Sequence, residues 1–370
     1  MKYLCFFDSK PNNRPATIAA VNKIKYICSA FNEESIDMEI VSCSMTAPCS
    51  MKPQTERLSP HTTVRYFKTV KFRNSKLWKL KEMFRRSLTV FLFLLFHTKK
   101  DEKLIVYHSL AIMRSVMLAH KIKKFHLLLE AEEIYNDVFV RSERNKKTEK
   151  RFLDSADSYM FPTDILAAKV NNAGKPQIII YGAYDVKKMP KNPYNDGRIH
   201  IAYTGSFDPN KGGLSAALET ARFLDESYCL HILGTGTDDA VERLKTFIEE
   251  HSRKDACEIL YDGVLSGDDY NRYLQRCDVG LSTQNPAAKF NATSFPSKVI
   301  SYLANDLRVV TFPIDVLKKS EMNDLLYYYN ADSPQEIAKV IREIDYETPY
   351  DSSSVILKLE ERFRSDIRKL

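Results

Sequence analysis

The sequence predicts an α/β protein built from two parallel-sheet domains, and three observations favour this class. The chain has 370 residues, which is long for a single domain. In both halves, short apolar segments of strand length alternate with longer segments of helical periodicity, as in sheets that carry helices on both faces. A segment rich in Pro, Lys and Asn, residues 187–198, separates the halves and is expected to be a linker.

The composition narrows the class of protein further. The apolar share of 44% is enough for full cores, and the net charge of +7 favours an anionic partner. The charge alone does not choose among nucleic acid, a membrane and a phosphorylated substrate. The seven cysteines lack the spacing of a metal or redox motif, which indicates reduced thiols in a cytosolic protein. Because the apolar runs are too short for a signal peptide or a membrane span, we expect a cytoplasmic protein.

The first domain is expected to span residues 1–186. A strand at 3–8 and a helix at 16–31, with apolar residues at helical spacing, would begin it. A strand at 36–43 precedes a loop rich in Ser, Thr and Pro that we expect to run to Thr63. Further strands are predicted at 64–67, 104–107, 126–129, 158–161 and 178–181, with a helix at 110–124.

The second domain is expected to span residues 199–351. It repeats one arrangement, in which a strand is followed by a turn of small residues and then by a helix. The last residues, 352–370, form a charged, amphipathic helical pattern. The strands of this domain are predicted at 199–203, 229–233, 258–262, 279–282 and 308–311.

Residues 291–304 open one helix of this domain with the features of a phosphate site. Pro296 suits the first turn of a helix, where its missing N–H costs nothing, and Ser294 is expected to be the N-cap. The first N–H groups of such a helix are unpaired and attract anions. Taken alone, this stretch is explained equally well as an ordinary capped helix.

Glycine-bearing turns at other strand ends decide between these interpretations. Gly205, the pair Gly234 and Gly236, and Gly263 each stand where a predicted strand ends, and Ser266 opens a capping box for the next helix. Ligands of open parallel sheets bind outside the carboxyl ends of the strands. Several such ends in one domain point to a nucleotide diphosphate as the ligand.

Five motifs occur in order along the second domain: Tyr203-Thr-Gly-Ser206 with Lys211-Gly, Leu233-Gly-Thr-Gly236, Tyr261-Asp-Gly-Val264, Asp278-Val-Gly-Leu-Ser282, and Ser294-Phe-Pro-Ser-Lys298. Over about residues 199–312 they resemble the donor half of GT-B glycosyltransferases, and most of all the large, mostly retaining bacterial family that builds surface polysaccharides. The resemblance implies two Rossmann-like domains facing a central cleft, with a C-terminal helix, 352–370, crossing back to the first domain. It also implies a nucleotide-sugar donor, expected to be UDP-linked, on the second domain and a glycan or lipid-linked acceptor on the first.

The resemblance assigns roles to the matching residues of the second domain. Gly205 admits the donor phosphates, Lys211 neutralises the diphosphate as a point charge, and the backbone at Gly263 and Val264 reads the base. The helix start at 294–298 holds the phosphates. The donor-binding residues expected on this basis are Gly205, Ser206, Lys211, Gly234, Gly236, Gly263, Val264, Thr293, Ser294, Ser297, Lys298 and Ser301.

Three positions depart from the family pattern. Ser206 stands where relatives usually have an arginine or a similar cation, and Thr293 and Ser301 stand where many have two glutamates eight residues apart. A hydroxyl can hydrogen-bond a ribose, but less strongly than a carboxylate. Donor binding is therefore expected to be weaker than in relatives, or the sugar unusual.

The acceptor is expected at the strand ends of the first domain. Glu130, Glu132 and Glu133 follow an apolar strand, where a carboxylate could orient an acceptor hydroxyl or accept its proton. These three glutamates are the catalytic candidates, and a solvated acidic loop is the alternative. For His108, which ends the neighbouring strand, a structural role and a functional role are equally consistent with the sequence. The residues expected on the acceptor side are His108, Asn13 and Arg14.

A basic segment begins at Arg65 and ends at Lys103. It holds twelve Lys and Arg residues beside Trp78 and the apolar run 88–96. Two interpretations remain open: an interfacial helix on anionic lipid, or a core helix with a basic solvent face. No recognised nucleic-acid-binding module accompanies the segment, so nucleic acid is not expected as a partner.

Together these features predict a cytoplasmic glycosyltransferase, peripheral at the inner face of the membrane if the basic segment binds lipid. The enzyme would serve bacterial surface polysaccharide or glycoconjugate synthesis. Because Lys211 and the helix start at Ser297 would stabilise the leaving diphosphate, no metal or further cofactor is expected. Two alternatives stay open: a non-catalytic partner subunit, which would bind donor without transfer, and a sugar-nucleotide epimerase, which would turn over donor without an acceptor.

Replacing Lys211 tests the predicted diphosphate contact. Lys211→Ala should weaken nucleoside-diphosphate binding by about 1.5–3 kcal/mol, the scale of a hydrogen bond to a charged group. Calorimetric titration with UDP measures the difference. Lys254→Ala, a change before a predicted strand rather than after one, is the control. Unchanged affinity in a folded Lys211→Ala protein would remove Lys211 from the site.

Overall fold

A computed structural model of the chain describes residues 1–10, 17–138, 142–190, 192–208, 213–283 and 285–369. The chain divides into two compact units, one of Met1–Ala183 with Arg362–Leu370 and one of Tyr184–Glu361. Residues 187–198, expected to form a linker, are thus part of the second unit. Among the described residues, no helix is long and apolar enough to cross a membrane.

The first unit is built on one large sheet. Its strands are β1 (Lys2–Cys5), β2 (Met38–Ser42), β3 (Thr46–Ala47), β4 (Gln54–Ser59), β5 (Thr62–Tyr66), β6 (Val70–Lys71), β7 (Lys103–Tyr107), β8 (His126–Glu130), β9 (Ser158–Phe161) and β10 (Gln177–Ile179). Its helices are α1 (Ile18–Glu33), α2 (Lys76–His97), α3 (Met113–Lys123), α4 (Tyr135–Val138), α5 (Glu143–Asp154) and α6 (Asp164–Val170).

Eight of these strands form the sheet in the order β10-β9-β8-β7-β1-β2-β5-β4, and β3 pairs with β6 apart from it. All neighbours in the sheet are parallel except β4, which is antiparallel to β5. The runs Leu104 to Val106 and Leu127 to Leu129 are buried, as expected of strands covered on both faces. The carboxyl ends of the parallel strands therefore meet at one edge.

The second unit is built on a sheet of six strands. They are β11 (Ile199–Ser206), β12 (Tyr228–Thr235), β13 (Glu258–Gly263), β14 (Val279–Ser282), β15 (Arg308–Thr311) and β16 (Leu326–Tyr328). They run parallel in the order β13-β12-β11-β14-β15-β16. The helices are α7 (Gly213–Ala221), α8 (Asp238–His251), α9 (Gly267–Leu274), α10 (Ser297–Leu303), α11 (Asp315–Lys318), α12 (Pro334–Glu343) and α13 (Ser353–Lys369).

The last helix, α13, contributes residues to both units. At its start, the Ser353 N–H donates to the Asp306 carboxylate at 2.7 Å, within the second unit. Near its end, the Phe363 ring stacks on Tyr26 of α1 with the ring centroids 5.8 Å apart, within the first unit. The predicted return of the C-terminal helix to the first domain is therefore confirmed.

Two parts of the fold differ from the sequence prediction. The loop expected to run to Thr63 contains β3 and β4, and β4 forms a hairpin with β5. β4 is a polar edge strand, so it lacks the apolar run or alternation by which strands are predicted. The short strand β16, at the other edge of the second sheet, was also not predicted. Neither difference falls at the strand ends that carry candidate functional residues.

Candidate active site

The sheet of the second unit has a topological switch point between β11 and β14. After β11 the chain adds β12 and β13 on one side, and it then returns to add β14, β15 and β16 on the other. Ligands of open parallel sheets bind outside the carboxyl ends of the strands at such a point. Gly205 and Ser206 form the end of β11, and Ser282 ends β14.

Gly205 and Gly234 lie side by side at the ends of β11 and β12. A Cβ on Gly234 would lie 1.8 Å from the carbonyl oxygen of Gly205, so no larger residue fits there. Gly205 itself has a φ of +157°, which L side chains rarely adopt. The space of a side chain at Gly234 is taken by the Gly205 backbone, so this glycine lets the two strand ends lie close together.

Lys298 brings a positive charge to the same edge. Its ammonium nitrogen lies 4.2 Å from the centroid of the Tyr203 ring and 3.4 Å from the point where a Cβ on Gly205 would be. A cation over an aromatic face is stabilised by about 0.5–2 kcal/mol, which helps to hold the lysine in place. A cation beside the backbone of a strand-end glycine is an arrangement suited to a phosphate.

Tyr302 anchors α10, the helix that carries Lys298, to both strands of the switch point. Its hydroxyl accepts a hydrogen bond from the Thr204 N–H at 2.8 Å and donates to the Leu281 carbonyl at 3.3 Å. Its ring fills the space beside Gly280, where a Cβ would lie 2.4 Å from a ring carbon. Lys298 precedes Tyr302 by four residues and so lies on the same helix face.

Ser301 belongs to a hydrogen-bonded group beside Tyr302. The Tyr270 hydroxyl lies 3.2 Å from the Thr204 hydroxyl and also hydrogen-bonds Ser301. Burial raises the pKa of Tyr270, so the phenol keeps its proton near neutral pH. The serine predicted to stand in for a ribose-binding glutamate thus has a partner within the protein.

The other predicted donor residues belong to different parts of the second unit. Gly236 packs closely on Phe207, where a Cβ would lie 2.7 Å from the Phe207 Cβ. Gly263 ends β13, the strand at the edge of the sheet, and the exposed Val264 follows it. Thr293 is buried, whereas Ser297 is exposed as the first residue of α10. Lys211 lies outside the described residues.

One predicted cap is wrong, and a second lacks its expected side-chain hydrogen bond. Ser294 is not the N-cap of α10, because the helix begins at Ser297 and its N-cap is Pro296, with no side-chain cap bond. The Ser294 N–H instead donates to the Phe290 carbonyl at 2.9 Å, in the turn before the helix. Ser266 is the N-cap of α9, as predicted, but its side chain makes no capping hydrogen bond.

In the first unit, Glu130 is a buried carboxylate at the end of β8, with 1% of the residue exposed. Tyr3 of β1 donates its hydroxyl hydrogen to Glu130 Oε2, and Lys23 Nζ of α1 lies 3.8 Å from Glu130 Oε1. Burial raises the pKa of Glu130 to about 7, although the Lys23 ammonium opposes that shift. The pKa of Tyr3 is also raised, by burial first and then by the Glu130 charge. Glu130 can therefore exchange a proton near neutral pH.

Glu132 and Glu133 lie in the loop that follows β8. Lys23 also forms an ion pair with Glu132, whose side chain is 27% exposed. Burial, followed by the charges of Glu132 and Glu149, raises the pKa of Glu133. The structure thus gathers two of the predicted glutamates, 130 and 132, around one lysine, and Glu132 is the one open to solvent.

His108 is buried beneath this loop. Its Nδ1–H donates to the Glu133 carbonyl at 3.0 Å, and its Nε2 lies 3.3 Å from Oε1 of the buried Glu149. Burial lowers the pKa of His108 to about 4 and raises that of Glu149. With His108 neutral, Nε2 is an acceptor, so a proton on the Glu149 carboxyl would satisfy this contact. In this geometry His108 positions the loop, and its ring has no exposed face for an acceptor.

Several residues of these groups were not predicted from the sequence. Lys23 carried a signal, since it shares a helix face with Ile27 and Phe31 at spacings of four residues, and a lysine on an apolar face is unusual. Tyr3 and Tyr302 looked like ordinary core aromatics. Asn13 and Arg14, expected on the acceptor side, lie outside the residues that the structure describes.

Comparison with known proteins identifies the fold. No protein-family model matches the chain, and no curated protein is similar to it in sequence. The E. coli trehalose-6-phosphate structure bound with UDP-2-fluoro glucose is 12% identical, with a TM-score of 0.67 over 100% of this chain and 99% of that chain. The UDP-forming trehalose-phosphate synthase of Burkholderia xenovorans, in complex with glucose-6-phosphate, is 11% identical with a TM-score of 0.66 over 100% and 98%.

A third solved structure supports the same conclusion. HepE of Anabaena in complex with UDP and glucose is 13% identical, with a TM-score of 0.63 over 100% of both chains. At such low identity, the likeness to these structures shows the fold. The chain therefore has the α/β fold of GT-B glycosyltransferases, as the sequence predicted.

The raised pKa of Glu130 has a consequence for stability. Its pKa is about 7 in the folded chain and about 4.3 in an unfolded one, so the folded state binds the proton more tightly. The stability that this proton provides is complete below about pH 4.3 and is lost as the pH rises through about 7. Between pH 5 and pH 8, the native protein should lose about 2–3 kcal/mol of unfolding free energy relative to Glu130→Gln.

Urea unfolding of both proteins at several pH values measures this difference. Glu143→Gln is the control, because the Glu143 side chain is exposed and should change the pH profile little. Parallel stability profiles for the native protein and Glu130→Gln would contradict the buried, proton-binding carboxyl.

Proposed function

We propose that the protein is a glycosyltransferase that moves a sugar from a nucleotide-diphosphate sugar to a glycan or lipid-linked acceptor in bacterial surface polysaccharide or glycoconjugate synthesis. The observation that carries the proposal is the Lys298 ammonium beside the Gly205 backbone, at the switch point of the second sheet. The fold supports it, since structures with this fold are described in complex with UDP or a UDP-sugar. UDP is therefore the proposed nucleotide.

The donor diphosphate would lie against Gly205 and Lys298. As the sugar leaves, negative charge grows on the β-phosphate, and a positive charge already in place stabilises the transition state without reorganising. Lys298 is held by Tyr203 and by the anchoring of α10, so it is such a charge. Lys211, expected from the sequence to contact the diphosphate, would add a second. These cations support transfer without a metal ion.

The acceptor would be bound by the first unit, near Glu132. Glu132 combines partial exposure with an ion pair to Lys23, which holds the carboxylate in place. Glu130 lies behind them and titrates near neutral pH. A carboxylate in this position could orient an acceptor hydroxyl or take its proton. We propose Glu132 as the residue nearest the acceptor, with Glu130 and Glu133 as the other candidates.

A non-catalytic partner subunit is the second candidate function. It is favoured by Thr293 and Ser301, hydroxyl residues where many family members have glutamates, and by the pairing of Ser301 with Tyr270. Such a protein would bind UDP and transfer nothing. A sugar-nucleotide epimerase with the same fold would convert the donor without any acceptor, which separates it from both.

Paired substitutions test the two halves of the site. Lys298→Ala should weaken UDP binding by about 1.5–3 kcal/mol, because a hydrogen bond to a charged group is lost. Lys289→Ala, a change to an exposed lysine nearby, should leave UDP binding unchanged. At least one of Glu130→Gln, Glu132→Gln and Glu133→Gln, with Glu132→Gln expected to be strongest, should cut transfer by about 10²-fold while UDP affinity stays the same.

Calorimetry with UDP and transfer assays, after a thermal-shift screen of nucleotide-sugars, supply the measurements. Native transfer rates in all three glutamine variants would refute the acceptor assignment. Donor binding by the native protein, with no transfer to any acceptor in an extract of its own cells, would favour the partner subunit.

We also propose that α2 binds the surface of an anionic membrane. The helix buries Val90, Phe93 and Leu94 in the first unit, yet it exposes a second apolar stripe on another face. Lysines accompany the stripe, which suits an interfacial helix on anionic lipid. The exposed apolar residues are Leu77, Leu80, Met83, Phe84, Leu88, Leu92 and Phe96, and the exposed lysines are Lys76, Lys79 and Lys81.

Two arginines of the basic segment do not belong to this surface. Arg85 binds the Glu82 carboxylate and donates to the carbonyls of Lys68 and Met45. Arg86 is largely buried, and burial lowers its pKa. Within α2, the exposed lysine charge therefore lies in the first two turns of the helix.

Vesicle binding tests this surface. The native protein should pellet with phosphatidylserine-containing vesicles at low salt, and pelleting should fall as salt rises because the attraction is screened. Leu77→Ser with Phe84→Ser, and separately Lys76→Glu with Lys79→Glu, should each reduce pelleting at least tenfold. Lys146→Glu on the exposed face of α5 is the control. If the native protein ignores vesicles and sediments as a dimer that Phe84→Ser dissociates, the stripe is an interface between copies instead.

A further inference from the structure

Two histidines and a cysteine meet on one face of the second sheet, away from the switch point. His200 and Cys229 are directly paired across β11 and β12, and His231 is two residues further along β12 on the same face. All three residues are buried. One Nδ1 or Nε2 atom of each histidine and the Cys229 Sγ lie within 4.8 Å of one another. These are the ligand atoms that zinc prefers.

The histidines point one nitrogen at each other and the second at a carboxylate group. His200 Nδ1 lies 2.8 Å from His231 Nε2. On the far side, His200 Nε2 lies 3.0 Å from the Asp196 carboxylate, and His231 Nδ1 lies 2.6 Å from the Tyr273 hydroxyl, which donates to Asp262 at 2.5 Å. Metal-bound histidines commonly donate their second N–H to a carboxylate or a similar acceptor, as these two could.

When both histidines are neutral, this group has one hydrogen fewer than its contacts need. Four short contacts link five side chains in a row: Asp196, His200, His231, Tyr273 and Asp262. Each contact between such groups needs one hydrogen. Two neutral histidines and one phenol supply three hydrogens. If the three hydrogens lie in the three contacts other than the one between the histidines, the two facing histidine nitrogens both present lone pairs. A cation between them would satisfy both.

We propose that His200 Nδ1, His231 Nε2 and Cys229 Sγ bind a zinc ion in the second unit, with Asp196 and Tyr273 orienting the two rings. Zinc–nitrogen bonds are about 2.0–2.1 Å, so a tetrahedral ion needs the two nitrogens about 3.3 Å apart. The present gap of 2.8 Å would widen by about half an ångström. Cys229 would bind as a thiolate, and its proton would leave to solvent.

Three protein ligands leave the fourth tetrahedral position to a water molecule, and the burial of the site favours a structural role. Its ligands lie at the start of β11 and β12, and the Tyr194 ring covers the histidines at centroid distances of 3.9 and 5.1 Å, with the Arg276 guanidinium stacked on Tyr194. The ion would join the two strands to the segment that contains Asp196. Sequence spacing gave no sign of it, because the ligands come from two strands and not from one local motif.

Metal analysis of the full-length protein, made without a histidine tag, tests the proposal. After removal of metal with EDTA and addition of zinc chloride, the native chain should hold one zinc ion. Cys229→Ser and His231→Gln should lower zinc affinity more than a hundredfold. Cys49→Ser and His61→Gln, which change exposed residues, should bind as the native chain does. Cobalt(II) should give a thiolate charge-transfer band that Cys229→Ser abolishes.

If the ligand variants do not fold, Asp196→Asn provides a second test of the proposal. It changes a partly exposed side chain outside the ligand set and should weaken zinc binding 10–100-fold. The proposal is overturned if the native chain retains less than a tenth of an equivalent of zinc. It is also overturned if a folded Cys229→Ser or Asp196→Asn protein binds zinc as tightly as the native chain. In either case the contact between the histidines is a hydrogen bond made by a fourth proton.

Discussion

The hydroxyl of Tyr302 is the contact on which the proposed donor site depends. It hydrogen-bonds the Thr204 N–H on β11 and the Leu281 carbonyl on β14, and so fastens α10 across the two strands of the switch point. Buried hydrogen bonds of this kind are costly to lose, because each unpaired backbone group costs about 1–3 kcal/mol. Since Lys298 lies one turn before Tyr302, the same contact sets where the ammonium stands relative to Gly205. The Tyr302 hydroxyl thus sets the position of the Lys298 charge, although in the proposed site it does not contact the donor itself.

The proposed acceptor side follows a different physical logic. Glu130 is desolvated, and its nearest cation, Lys23, is shared with Glu132. One ammonium cannot fully compensate two carboxylates, so the more buried of them holds its proton more tightly. In this arrangement Glu132 is partly exposed to solvent, and the buried Glu130 behind it can hold a proton. The second unit places a cation at its strand ends, and the first unit places an acidic group at its own strand ends.

A feature of this structure can be predicted from the sequence when its signal lies in neighbouring residues. Strands such as Ser158–Phe161 and Val279–Ser282 were predicted to the residue, because buried parallel strands are short apolar runs bounded by polar turns. The positions of Gly205 and Glu130 at strand ends followed from the same runs. The pairing of Lys23 with Glu130 joins residues 107 positions apart, and only the folded sheet brings them together. The polar hairpin strand β4 was missed because it lacks an apolar run or alternation, and Ser294 resembled a cap although α10 begins only at Ser297.

The contact between Gly280 and Tyr302 has an evolutionary consequence. Gly280 lies in the middle of β14, a strand position where glycine offers no packing of its own, and it is tolerated because the Tyr302 ring occupies the space of its missing side chain. Among homologous chains, positions 280 and 302 should therefore covary: a larger residue at 280 should accompany a smaller one at 302. Where the tyrosine is replaced, another group must anchor α10, and the cation four residues earlier should change with it.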